Sequence, residues 1–303
     1  MIEPSPGAHP LEASAPAWAA RRTVAVIENR RIARDTFLLR LDDPEMARAI
    51  RPGQFLMIRP GTGGMTDPLL GRPFALYDVV VGASGTPEAI DVVYLIMGRG
   101  TQILAEKRPG DRLVIWGPLG NGFGPPPADR GSVAFVAGGI GQTPFLALGR
   151  WWLGQRSYGG ETKSGLPVAV ASATLFYGVR SADLAAGVED FQKAGIAVEV
   201  ATDDGSAGRP GFVTDLFLDR LRSGDRPSKV VGCGPPLMLA ALSRIVASEG
   251  MACDLSLENH MACGFGACFS CVSPILQDDG STDLRRVCIE GPIFPAERVV
   301  WPG

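Results

Sequence analysis

Cys263, Cys268, Cys271 and Cys288 follow the pattern C-x4-C-x2-C with a fourth Cys at a distance. This is the plant-type spacing for a [2Fe–2S] cluster, which needs four thiolates around a small inorganic core. The run Cys263-Gly-Phe-Gly-Ala-Cys268-Phe-Ser-Cys271 can supply three of them from one tight loop. Gly264 and Gly266 let that loop wrap closely and turn amides toward sulfur. A structural zinc ion is the competing reading. Zinc usually takes two short Cys pairs, and only Cys268 and Cys271 form a C-x2-C here. The spacing therefore predicts one-electron chemistry.

A second set of residues suits phosphates and flat rings. In Ala137-Gly-Gly-Ile-Gly-Gln-Thr-Pro144, an apolar strand runs into a helix start. Gly138, Gly139 and Gly141 permit close backbone approach there, and the helix start favours a pyrophosphate. A plain tight connection would look similar, and the segment is not G-x-G-x-x-G. Gly232-Cys-Gly-Pro-Pro-Leu-Met238 is another strand-to-helix turn, and two such turns at the carboxyl ends of parallel strands share a crevice. Cys233 there either contacts a nicotinamide ring or is a small packing residue. Arg72-Pro-Phe-Ala-Leu-Tyr77 joins a permanent cation to aromatics. The Arg suits a phosphate and Phe74 or Tyr77 a flat ring, unless Arg72 is simply solvated beside a core aromatic. Gly98-Arg-Gly-Thr101 offers amides and a hydroxyl to a second phosphate.

The remaining polar residues have blander readings. His260, the only histidine outside the first twenty residues, either tunes the cluster or faces a partner. Glu258 either braces the cluster loop or faces solvent. Asp203 and Asp204 precede Gly205 and fit a turn. Trp151 and Trp152 fit core or interface packing.

The elements that must position these residues change character along the chain. From Arg21 to Trp116 short strands alternate with Gly and Pro: Thr23–Glu28, Thr36–Leu41, Gln54–Ile58, Phe74–Val81, Ile90–Leu95 and Arg112–Ile115. Helical stretches are expected at Pro44–Ile50 and Thr101–Lys107. This pattern predicts a small antiparallel β-barrel. From Arg130 to Glu249 strands alternate with helices, which predicts an α/β parallel sheet. The strand–helix pairs are Ser132–Ala137 with Thr143–Leu153, Ala173–Tyr177 with Ala182–Lys193, Ala197–Ala201 with Phe212–Leu221, and Lys229–Gly232 with Pro235–Ser248. Gly154–Gly165 reads as a surface loop and Pro125–Pro127 as a stiff joint. Regular structure is expected to end after Leu255. The domain division is thus 1–20 as a disordered extension, 21–128 as the barrel, 129–252 as the α/β domain, and 253–303 as the cluster segment.

With 303 residues, about two domains are expected. Apolar residues make up 46% and charged residues 20% of the chain, as in a soluble globular protein. A net charge of −3 gives no footprint for nucleic acid or an anionic membrane. The longest apolar runs, such as Asp91-Val-Val-Tyr-Leu-Ile-Met97, are too short to span a bilayer. The proline-containing start lacks a basic segment followed by an apolar run, so no signal peptide is expected. Cys233 and Cys253 remain as free thiols, which fits a reducing compartment and a cytoplasmic location.

Taken in order, these motifs resemble those of the ferredoxin reductase-like flavoproteins, in particular the electron-transfer subunits of class 1B dihydroorotate dehydrogenases. The resemblance runs from Thr23 to Phe294. It rests on Arg72-Pro-Phe-Ala-Leu, Gly98-Arg-Gly-Thr, Gly117-Pro-Leu-Gly-Asn-Gly-Phe, Gly138-Gly-Ile-Gly, Thr202-Asp-Asp-Gly-Ser, Cys233-Gly-Pro and the Ser256–Cys271 run. It implies FAD on the barrel, NAD on the α/β domain and a [2Fe–2S] cluster on the C-terminal segment. By position, Arg72, Pro73, Phe74 and Ala75 would bind the flavin and its phosphates. Val93, Tyr94 and Leu95 would line it, and Gly100 and Thr101 would hold its pyrophosphate. Two positions depart from the family. Ala75 stands where Ser or Thr is common, and Leu95 where a basic residue is common, which bears on flavin potential and phosphate contacts.

The implied function is electron transfer from an FMN-containing dihydroorotate dehydrogenase catalytic subunit, in a heterotetramer, through the cluster and FAD to NAD+. Phe265 and Phe269 would shield the cluster. The same motifs would serve a sulfide dehydrogenase, hydrogenase or transhydrogenase-type complex. A non-enzymatic zinc module, with four cysteine ligands on a degenerate reductase scaffold, is the remaining alternative.

Overall fold

The structure, a computed structural model, describes residues 21–61, 68–160 and 169–301. The expected N-terminal extension and the end of the 154–165 loop lie outside the described residues. The first region contains β1 (Arg22–Ala33), β2 (Thr36–Asp42), α1 (Pro44–Ala49), β3 (Phe55–Arg59), β4 (Arg72–Ala75), β5 (Asp78–Val81), β6 (Pro87–Leu95), α2 (Arg99–Ala105) and β7 (Arg112–Leu119). Its strands form one antiparallel sheet in the order β4-β3-β7-β1-β2-β6-β5.

The expected single strand Phe74–Val81 is two strands, one at each edge of this sheet. Leu76 and Tyr77 carry the chain across: Leu76 N donates to Gln54 O at 3.0 Å and Tyr77 N to Asp91 O at 2.9 Å. A link of two residues between opposite edges requires the sheet to roll up. The pairing ladder itself is not continuous between β4 and β5, so the closed barrel of the sequence reading becomes a rolled seven-stranded sheet. Period-two alternation gives it two buried faces. Leu56, Ile58, Leu113 and Ile115 point into the sheet's own core, whereas Phe55, Met57 and Leu119, with Trp116 beside them, pack outward against the C-terminal segment.

The second region contains β8 (Ser132–Gly138), α3 (Phe145–Trp152), β9 (Ser172–Val179), α4 (Val188–Lys193), β10 (Ala197–Thr202), β11 (Arg209–Pro210), α5 (Val213–Arg222), β12 (Lys229–Cys233), α6 (Pro236–Ser248) and β13 (Cys253–Ser256). The expected helix Ala182–Lys193 is broken into a 3-10 turn, Ala182–Leu184, and α4, because Gly187 adopts φ +74° between them. The sheet order is β11-β10-β9-β8-β12-β13, all parallel, with one further antiparallel strand beyond β13.

That last strand, β16 (Ile293–Pro295), comes from the C-terminal segment, where β14 (Val272–Leu276) and β15 (Thr282–Arg286) also form a hairpin. Regular structure therefore continues beyond Leu255, contrary to the sequence reading. The parallel sheet also runs past residue 252 and holds the segment at both of its ends. One apolar core contains Phe55, Met57 and Leu119 of the first sheet, Leu255 of β13, and Cys271, Val287 and Cys288. Among the described residues no helix is long and apolar enough to cross a membrane.

Candidate functional site

Sheet order fixes where the site lies. From β8 the chain moves outward to β9 and β10, then returns to β12 on the other side of β8, so β8/β12 is the switch point. The loops after these two strands touch backbone to backbone. A Cβ on Gly141 would overlap the Cys233 carbonyl, and one on Gly138 would come within 2.6 Å of Met238 Sδ. Gly139 adopts φ +56° and faces open space. Two of these three glycines therefore serve loop-to-loop packing.

In front of the switch point lies a cavity of about 380 Å³. Arg72, Pro73, Phe74 and Ala75 of β4, Val93, Tyr94 and Leu95 of β6, and Gly100 and Thr101 of α2 all line it. Cys233 lines its opposite side; Gly138, Gly139 and Gly141 do not, although Ile140 and Thr143 from the same loop do. Tyr77 is elsewhere, buried between the two sheets with its hydroxyl donating to Asp190 Oδ2 at 2.9 Å. The walls are largely aliphatic and aromatic, with two cations, Arg72 and Arg99, among the lining residues; the exposed Arg72 guanidinium donates to the carbonyls of Leu70 and Gly71 at 3.0 and 3.1 Å. Apolar walls with cations among them suit a planar ring carrying an anionic tail. The hydroxyl of Thr101 is engaged locally: it accepts from Met97 N and Gly98 N and donates to Gly98 O. Phosphate contacts at this turn must then come from backbone amides.

Sequence reasoning missed the side of the cavity built after β13. Ser256 pairs with Cys233 across β12 and β13, and the chain then sends Leu257, Glu258, Asn259 and Met261 along the cavity wall. Position was the available signal, since Glu258 follows a parallel strand at the carboxyl edge that also holds Cys233. Glu258 is exposed onto the cavity yet surrounded by protein, and this burial pushes its carboxyl above the usual range. Burial likewise raises the Cys233 thiol, helped by the Glu258 charge and opposed by a hydrogen bond to Ser256. Cys233 is therefore a neutral thiol facing the cavity.

The four cysteines of the loop fall in two settings. Cys271 and Cys288 sit together in one apolar core, and Cys263 and Cys268 lie on the accessible side of the loop. Among the described residues no three His, Cys, Asp or Glu side chains form a group fit for a single metal ion. Four thiolates, two per iron, are the donor set of a two-iron cluster. The outer pair is accessible, with Cys263 half-buried and Cys268 exposed; Cys271 and Cys288 are buried. Hydrogen bonds from Ser270, and then from Cys263, lower Cys268 to about 6. Burial, followed by the neighbouring Cys271, raises Cys288 to about 12.

Gly264 and Gly266 adopt φ +80° and +87°, as the tight loop requires. Arg286, held by Glu290 at 3.1 Å, donates to Gly266 O and lies 4.7 Å over the Phe269 ring. Phe265 and Phe269 are 49% and 60% exposed, so each presents much of its ring to solvent. His260 is exposed, and its carbonyl accepts from Ser270 at 3.3 Å.

Residues 258–300 match the iron–sulfur cluster binding domain of dihydroorotate dehydrogenase B. Along nearly its whole length the chain is 34% identical to the dihydroorotate dehydrogenase B (NAD(+)) electron transfer subunit of Desulforamulus reducens, covering 89% of this chain and 94% of that one. It is 36% identical to the subunit of the same name from Geobacillus thermodenitrificans, covering 92% and 98%. The chain belongs to this family of electron transfer subunits. Among solved structures, it is similar to an NADH-dependent reduced ferredoxin-NADP oxidoreductase studied for flavin-based electron bifurcation. The TM-score is 0.73 at 25% identity, over 92% of this chain and 90% of that one. A ferredoxin reductase of carbazole 1,9a-dioxygenase shares the fold, with a TM-score of 0.59 at 21% identity, over 77% and 66%. This electron transfer subunit is thus an oxidoreductase component with a ferredoxin reductase-like fold.

Proposed function

We propose that the chain carries FAD in the cavity, a [2Fe–2S] cluster on Cys263, Cys268, Cys271 and Cys288, and NAD at the crevice between the loops after β8 and β12. In this reading it passes electrons from the FMN-containing catalytic subunit of dihydroorotate dehydrogenase to NAD+, within a cytoplasmic heterotetramer serving pyrimidine biosynthesis. The observation that carries it is the cavity itself, whose walls come from the rolled sheet, the parallel sheet and the cluster segment together.

Flavin and cluster, when bound, supply the conversion between hydride transfer and single-electron transfer. The chain's residues bind, orient and exclude water. Phe74, Val93 and Leu95 wall the ring, with Arg72 and the amides of Gly100 and Thr101 at the phosphates. Cys233 and Thr143 line the same cavity as Ala75 from the loops after β12 and β8, where a nicotinamide ring entering from the glycine loops would meet the flavin. On the cluster loop, the accessible Cys263 and Cys268 share one short segment with exposed Phe265 and Phe269, an apolar rim fitted to a protein partner.

Co-expression with the candidate catalytic subunit tests this reading. The expected result is a copurifying complex containing FMN, FAD and two irons per pair of subunits, which reduces NAD+ when given dihydroorotate. An assembled complex with full cofactor content and no such activity would refute the assignment of substrate and partner. A colourless chain with stoichiometric zinc would refute the redox assignment altogether.

A further inference from the structure

The cluster loop and the cavity wall are joined by one side chain that the sequence motifs do not include. Trp116 lies on β7 at an outward-facing position, half-buried, and packs against the core that contains Cys271 and Cys288. Its indole N–H donates to the carbonyl oxygen of Cys263 at 2.9 Å. The far edge of its ring rests on Gly71, the residue before Arg72. A Cβ there would overlap Trp116 Cη2 and lie 3.1 Å from Cζ2. The same ring therefore touches the backbone that leads into the cavity wall and the backbone of the first cluster ligand.

We propose that Trp116 is a positioning residue that fixes the outer half of the [2Fe–2S] ligand loop against the cavity wall and tunes the cluster through the Cys263 peptide. This rests on the reading that the four cysteines bind the cluster. The inner half of the loop needs no such tie, because Cys271 and Cys288 sit in the core. The outer half is held differently. Its other polar ties are longer: Ser270 accepts from Ala262 N and donates to His260 O, both at 3.3 Å, and lies 3.1 Å from Cys268 Sγ, while Arg286 donates to Gly266 O at 3.3 Å. Its packing contacts are those of Gly264 against β3 and Gly266 against Ile289, where a Cβ would come within 2.6 Å of Met57 Cγ and of Ile289 Cδ1 respectively. The indole bond is shorter than any of these polar ties and is partly shielded from water, where a hydrogen bond is electrostatically stronger. A donor on the Cys263 carbonyl also draws electron density from the peptide beside the ligand sulfur, which favours the reduced, more negative cluster.

The test uses the full chain with its cofactors bound. Trp116→Phe keeps a ring and removes the N–H; Gly71→Ala leaves the indole in place and pushes on its edge. Both variants are expected to retain FAD and iron. Redox titration followed by EPR should show the cluster midpoint moving to a more negative potential in Trp116→Phe, with altered g values. Amide exchange across residues 262–267 should quicken on the order of five- to tenfold, as the loss of one net hydrogen bond implies. Gly71→Ala should shift the midpoint in the same direction. Added to Trp116→Phe it should have no further effect, because the shorter ring no longer reaches residue 71. An unchanged potential and spectrum in Trp116→Phe, or fully additive effects in the double variant, would overturn the proposal. If Trp116→Phe fails to fold, Gly71→Ala alone decides, through whether its midpoint and exchange move. A wild-type chain without a two-iron signal would instead fail the parent reading, and this inference with it.

Discussion

Asp78 holds together parts of the chain that lie far apart in sequence. Its buried carboxylate meets Arg156 at 2.8 Å and Arg150 at 3.3 Å, and accepts from the Tyr158 hydroxyl at 2.8 Å. Arg156 also donates to Val79 O. Asp78→Asn would leave two largely buried guanidinium groups facing a neutral amide. A loss of about 3 kcal/mol is expected, as for breaking a buried ion pair from one side, read as a lower urea midpoint with an unchanged slope. Glu258 acts in the opposite sense. With its carboxyl raised by burial, the folded chain keeps a proton that the unfolded chain has released. Stability therefore falls as pH rises from the ordinary carboxylate range through the folded value. Glu258→Gln removes that dependence. In the cofactor-free chain it should flatten stability against pH across this window and leave the protein more stable than wild type at neutral pH; urea melts at a series of pH values would read it, and an unchanged pH profile would rule it out.

At the scale of elements, the contact between the loops after β8 and β12 brings two strand ends into one crevice. Gly141→Ala places a methyl against the Cys233 carbonyl, and backbone cannot rotate aside as a side chain can. The expected outcome is about 1–3 kcal/mol of lost stability from overpacking, with nicotinamide nucleotide affinity reduced more than FAD content. Titration with NAD+ and flavin absorbance would separate the two. The features legible in the sequence were those with a local cause. The four-cysteine spacing, the glycines after β8 and the Arg72–Ala75 run each announce themselves within a few residues. What escaped depends on distant pairing. β16 is three residues long and is a strand only because β13 lies beside it. Pro274 and the polar Thr282–Arg286 run concealed the hairpin, and Phe74–Val81 gave no sign that its halves pair with opposite edges. Trp116 was invisible as a site residue for the same reason, and Glu258 was read only as a brace or a solvated residue, since each lines or joins the site through a neighbour far away along the chain.

For the whole molecule, the three regions named from sequence do not bury their surfaces separately. β13 and β16 pair across the cluster segment, and Phe55, Met57 and Leu119 have their outward faces covered only when that segment is present. A chain ending at Ser256 should therefore be insoluble or bind apolar dyes strongly; a soluble truncation with native-like FAD binding would show the segment to be dispensable for folding. The unequal burial of the cysteine pairs bears on how the protein is made and lost. On the proposed ligand set, Cys268 is the exposed thiol that an incoming iron–sulfur unit meets first, while Cys271 and Cys288 lie within the core. Oxidants arrive by the same door, so decay of the proposed cluster is expected to begin at the iron assigned to Cys263 and Cys268 and to reach the inner iron last.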